Sequence, residues 1–140
     1  YAHELNKLVG LKLPADSLTI TSLLHDLCKI HFYKISDELD KEWKDKGNAW
    51  RKKQMYIVED KLPLGHGEKS VILAQQYGIT LKIDEVLAIR WHMGFSSPES
   101  QTMAFQQAWT NPLVMIIAMA IMDWVYFSRR MLMETMIIKL

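Results

Sequence analysis

The stretch "PLVMIIAMAIM", Pro112 to Met122, constrains the fold more than any other part of the chain. It is apolar all round a helix, which a surface helix is not, and it falls well short of the roughly 20 residues needed to cross a bilayer. It therefore reads as a helix buried in a protein body, with Asn111 as its cap and Pro112 in the first turn, where the missing N–H costs nothing. The run leads into Asp123. A carboxylate in so apolar a helix is costly to bury unless a cation, a charged partner or a dense hydrogen-bond set compensates, which makes Asp123 a candidate functional residue.

The other segments also read as helices. "YAHELNKLV" is the end of one, closed by Gly10, and Pro14 with Asp16 or Ser17 starts the next, whose buried face is marked by Leu18, Ile20, Leu23, Leu24 and Leu27. A third begins at His66 or Gly67 and closes at Gly78, a fourth runs from Asp84 to Gly94, and "TMAFQQAW" is a short fifth. "SDELDKEWKDKGNAWRKKQ" reads as a solvated connection with room for one short helix. In "MYIVEDKLP", Tyr56, Ile57 and Val58 favour strand, which predicts a small two-stranded ribbon near residues 55–63. The expectation is an all-α, compact multi-helix fold with at most that ribbon.

With 140 residues, 49% of them hydrophobic, the chain is a single domain over 1–140, long enough to close a core without disulfides or a structural metal. Any metal would then be bound for chemistry. The formal charge of +1 excludes a global field that draws a protein to nucleic acid or to an anionic membrane, so no membrane partner is expected. The single cysteine, Cys28, forms no intramolecular disulfide, and cysteine-poor composition with no leader pattern fits a cytoplasmic setting. Because the chain opens at Tyr1 inside a segment that already reads as helix, its natural start is expected upstream.

Candidate chemistry sits in four segments. "LLHDLCKI" places His25 and Asp26 within an apolar run of the second helix, where Ser22, His25, Asp26 and Lys29 stand at i, i+3, i+4 and i+7 and form a polar stripe alongside the apolar one. His66 lies in "PLGHGEKS", His92 in "IRWHMG" and Asp123 in "IMDW". Taken singly, each has an ordinary explanation: a helix edge, a turn residue, a cap, a buried acid bonded to a neighbour. Together they offer imidazole nitrogen and carboxylate oxygen, which suit Mn, Fe, Co, Ni or Zn, and the lack of cysteine ligands argues against a closed structural zinc site.

The order His-Asp, His, His, Asp on successive helices resembles the HD-domain superfamily of metal-dependent phosphohydrolases, and "LLHDLCK" is similar to that family's hydrophobic-hydrophobic-His-Asp-x-x-Lys pattern. "VEDKLPLGHGEKS", "IRWHMGFSSP" and the "MDW" helix resemble the corresponding stretches of the HD domain in bacterial 3′–5′ exoribonucleases and related stand-alone HD proteins. The resemblance spans Leu23 to Asp123. It implies a single HD-domain bundle that holds one or two divalent ions, Mg included. His25, Asp26 and Asp123 would be ligands of a first ion, with Asp26 able to bridge, and His66 and His92 ligands of a second. Lys29 would meet a substrate phosphate. The family has a further histidine on the helix before the His-Asp helix, farther upstream than His3 stands; it is expected to precede Tyr1.

The implied activity is hydrolysis of a phosphoester of a nucleotide or short nucleic acid by metal-activated water, with Asp26 and Lys29 carrying the chemistry. The alternatives are a regulatory HD domain that binds nucleotide without turning it over, or an oxygenase on the same scaffold. "AWRKKQMY" interleaves cations with aromatics, so Arg51 and Lys52 are candidates for binding nucleotide or single-stranded nucleic acid, although such runs are more often simply solvated. Cys28, among apolar neighbours, reads as a packing residue and not a nucleophile.

Overall fold

The structure, a computed structural model, describes residues 1–35, 40–43, 50–53, 56–58 and 62–137, with the side chains of 31, 40–43, 50–53 and 127–137 excepted. Among these residues the chain forms six α-helices: α1 (Ala2–Leu8), α2 (Ala15–Leu24), α3 (His66–Gln76), α4 (Ile83–Arg90), α5 (Met103–Trp109) and α6 (Pro112–Ile137). An all-α body with a small amount of antiparallel ribbon is the architecture expected from the sequence.

Helix α6 is the axis of the packing. Its buried positions Leu113, Val114, Ile116, Ile117 and Ala120 meet Leu18 of α2, Ala88 of α4, Phe105 and Ala108 of α5 and Ala2 of α1 in one core cluster. The start of α6 is fixed by its cap, since the Asn111 side-chain oxygen accepts the Leu113 N–H at 2.9 Å, and the Asn111 amide donates to Asp84 on α4 at 2.7 Å. Helix α3 stands on the other side of α4, also packed against the segment that follows α2. Among the described residues no single helix is long and apolar enough to cross a membrane.

Three local expectations are corrected. The first concerns the His-Asp helix, which does not run through its motif. Helix α2 stops at Leu24, Asp26 takes φ −114° and ψ 24°, and Leu27–His31 continues as a 3₁₀ turn. The polar stripe of Ser22, His25, Asp26 and Lys29 is therefore broken at Asp26. The buried face differs too: Leu18 is buried as expected, but Leu23 is 74% exposed while Ser17 and Thr21 are inside. Thr21 is tolerated there because its hydroxyl donates to the Ser17 carbonyl at 2.6 Å.

The second correction concerns the ribbon. Tyr56–Val58 does form a strand (β4), but it pairs back across the chain with Tyr33–Ile35 (β1), in the register Tyr33 to Val58 and Ile35 to Tyr56. A β-favouring run identifies a strand, but its partner is set by tertiary context. The third lies between them. In the stretch read as a connection with one short helix, Asp40–Trp43 (β2) and Trp50–Lys53 (β3) form a second antiparallel ribbon, and the rest of that stretch lies outside the described residues.

Candidate metal centre

Three chain segments converge on one point: the 3₁₀ turn after α2, the first residue of α3, and the turn after α4. They bring together Asp26, His66 and His92, each with a ligand atom within 4.8 Å of the others. The imidazole of His25 packs edge-on against His92 with ring centroids 5.0 Å apart, and the His66 ring is tilted against His92 at the same centroid distance of 5.0 Å.

The two oxygens of Asp26 have different surroundings. Oδ2 is occupied: the Lys29 ammonium donates to it at 2.6 Å, and His25 Nε2 stands 3.4 Å away. Oδ1 is buried and has no hydrogen-bond partner. It faces His92 Nε2 at 3.7 Å. His92 Nδ1 lies 2.8 Å from the Ile89 carbonyl, which can only accept, so Nδ1 carries the proton and Nε2 presents its lone pair to the carboxylate oxygen. Two lone pairs facing one another in a buried setting repel unless a cation lies between them. His25 Nδ1 also donates to a carbonyl, that of Ser22 at 2.8 Å, but its Nε2 faces the occupied Oδ2 of Asp26, to which it donates when the ring is protonated.

Electrostatics prepares the same atoms. Burial pushes the His92 imidazole down to about 4 and lowers His66, so both rings are neutral at neutral pH. Burial works against charge on Asp26, but the bonds from His25 and Lys29 outweigh it and hold the carboxyl well below the usual carboxylate range. His25 is also opposed by burial, yet its contacts with Asp26 and with the Ser22 carbonyl raise it above the ordinary imidazole value. An ionised carboxylate and two neutral imidazoles are a donor set suited to a divalent ion.

Backbone packing holds these segments together. Gly67 follows His66 at the start of α3, and a Cβ there would stand 2.5 Å from the Arg90 carbonyl oxygen and 2.7 Å from that of Ile89. Only glycine lets α3 approach the end of α4 so closely. Arg90 reinforces the junction through Glu68, 2.8 Å from its Nε. Ser70, one turn further along α3, donates to the His66 carbonyl at 2.9 Å and accepts the Cys28 N–H at 3.2 Å, linking α3 to the turn that carries Asp26. Cys28 itself is buried, in keeping with a packing role.

Asp123 is not where its sequence context placed it. It is exposed, as is all of 122–126, and its carboxylate accepts the Tyr1 hydroxyl. The premise that Asp123 is buried therefore does not hold. Asp123 lies outside the three-residue group, though its helix neighbours Ile121, Trp124 and Val125 share a cavity with Tyr1, His25 and Asp26. His3 is also apart, exposed and within 3.0 Å of Thr19 Oγ1. Arg51 and Lys52 are on β3, opposite Glu42 and Lys41, and their side chains are outside the described residues.

Compared with known proteins, the chain matches no family model, no curated protein and no solved structure.

Proposed function

We propose that this chain is a metal-dependent phosphohydrolase of the HD type, with its ion held by Asp26, His66 and His92. The observation that carries the reading is the buried, unpartnered Oδ1 of Asp26 facing the lone pair of His92 Nε2. When bound, a divalent ion lowers the pKa of water from about 16 towards about 7 and polarises a phosphoryl oxygen. The chain's own residues do the rest. His92 and His66 stay neutral, His92 keeps its Nε2 lone pair on the side of Asp26 Oδ1, and the carbonyls of Ile89 and Ser22 orient His92 and His25. Lys29, half exposed and one carboxylate away from the ion position, is placed to meet the negative charge of a phosphate. The class of substrate proposed is a phosphoester of a nucleotide or short nucleic acid.

A second reading, a domain that binds its phosphate ligand without hydrolysing it, is favoured by one observation: Asp123 is engaged by Tyr1 outside the three-residue group. One experiment separates the two. The protein, purified without chelator, is assayed for transition metal and for hydrolysis of phosphomonoesters, phosphodiesters and short RNA. We expect about one ion per chain, lost in Asp26→Ala and in His92→Ala, together with hydrolysis. Metal without turnover would select the binding reading, and less than about a tenth of an ion per chain would remove both.

A further inference from the structure

Helix α6 has a second face besides the one that fills the core. Leu113, Val114, Ile117 and Ala120 are buried, whereas Met119, Met122, Asp123 and Tyr126 are exposed, Tyr126 by 68%. A helix normally turns charged and polar residues to solvent, and this one turns methionines and a tyrosine. From Met119 onwards the spacing alternates four and three, through Asp123, Tyr126, Arg130, Met133 and Ile137, all on α6. That is the seam spacing of a coiled coil, here with one acid before its central tyrosine and one base after it. Past Ala120 the helix continues to Ile137, about 25 Å further at 1.5 Å per residue. Helices in proteins draw most of their stability from packing an apolar face.

We propose that this stripe of α6 is a dimer interface, on which a second copy of the chain lays its own α6 antiparallel, about a two-fold axis beside Tyr126. Charge decides both the occupant and its direction. Asp123 and Arg130 stand seven residues apart, on one face of the helix, so antiparallel pairing sets the acid of each copy level with the base of the other, twice over. Parallel pairing would set acid on acid and base on base, which repel in an apolar seam. A self-complementary stripe is what a two-fold interface requires. The Asp123 carboxylate accepts the Tyr1 hydroxyl and keeps lone pairs for a guanidinium, which meets a carboxylate with two parallel N–H donors. A lipid surface would instead bury the Asp123 charge without a partner.

The test follows the full chain by sedimentation equilibrium over a concentration series, and by co-sedimentation with phosphatidylglycerol vesicles. We expect a species of twice the 16.3 kDa mass of one chain. Asp123→Arg and Arg130→Asp each set like charges level across the axis, and each should weaken dimerisation about tenfold or more. Mixed in equal amounts, the two variants should pair with each other to within about threefold of the wild-type affinity, because each supplies the charge the other lacks. The double variant, Asp123→Arg with Arg130→Asp, should dimerise as the wild type does. Recovery on mixing also shows that the single variants are folded. A wild type that stays monomeric, single variants that dimerise unchanged, or a mixture no tighter than either variant alone would overturn the inference. So would a monomer that binds the vesicles, which would assign the stripe to a lipid surface.

Discussion

At the scale of single residues, the site is decided by which lone pair each atom has left to offer. Asp26 uses one oxygen on Lys29 and His25 and keeps the other, buried, without a partner. In the proposed centre Lys29 is therefore not a ligand but a neighbour of one. Replacing it with alanine should lower kcat by about tenfold or more while bound metal stays within about a fifth of the wild-type content, since on the proposed reading an ammonium there would serve the phosphate and not the ion. Lys29→Arg should restore only part of the rate, because a planar fork does not reproduce a compact point charge. Full hydrolysis by Lys29→Ala, measured alongside elemental analysis, would remove the assigned role. Asp26, His66 and His92, which the structure brings together, were candidates in the sequence because each is a polar residue in an apolar or glycine-flanked context; His25, read as a ligand beside them, lies next to His92 but outside that three-residue group. Asp123 was chosen by the same logic, and the structure finds it exposed, because local sequence gives apolarity but not the depth of the protein around it.

At the scale of elements, the glycine after His66 carries more of the site than its residue type suggests. A Cβ on Gly67 has no room against the backbone of α4, and a backbone contact cannot yield as a flexible side chain would. Gly67→Ala should thus cost about 1–3 kcal/mol in a urea unfolding curve and push α3, with His66, away from His92. Metal affinity should fall with it. Gly78→Ala is the matched comparison: its φ of +76° makes alanine costly, but nothing lies within 4 Å of the added carbon, so stability should drop by about 1 kcal/mol with metal affinity unchanged. If Gly67→Ala binds metal as wild type does, the close approach does not position His66. The helix starts and stops at Gly10, Pro14, Gly78, Asn111 and Pro112 could be read from local chemistry. The pairing of β4 with β1 could not, nor could the end of α2 at Leu24, since both depend on contacts with distant segments. Ser70 was missed as well, although its place four residues after His66 is the spacing at which a hydroxyl bonds back to a helix carbonyl.

At the scale of the whole molecule, the helices that carry the site are joined by a polar contact away from it. Glu85 of α4 is buried, and its carboxylate accepts the Ser17 hydroxyl of α2 at 2.7 Å and the Lys82 N–H at 2.8 Å. Burial alone would raise its pKa, but these bonds and the Lys82 charge outweigh burial and bring it below its ordinary value of 4.5. A carboxyl whose folded pKa is depressed binds fewer protons when folded than when unfolded. Its contribution to stability is complete above the unfolded pKa and is lost as pH falls through the folded one. Glu85→Gln keeps the shape and removes this linkage, so the wild type should be more stable than the variant at pH 7 by about 1.5–3 kcal/mol, the range for a hydrogen bond to a charged group. That gap should narrow as pH falls below about 4.5. Urea unfolding of both proteins at neutral and acidic pH measures it. A gap of the same size at pH 3.5 and at pH 7 would mean that Glu85 joins α2 to α4 by shape and neutral hydrogen bonding, with no part played by its charge.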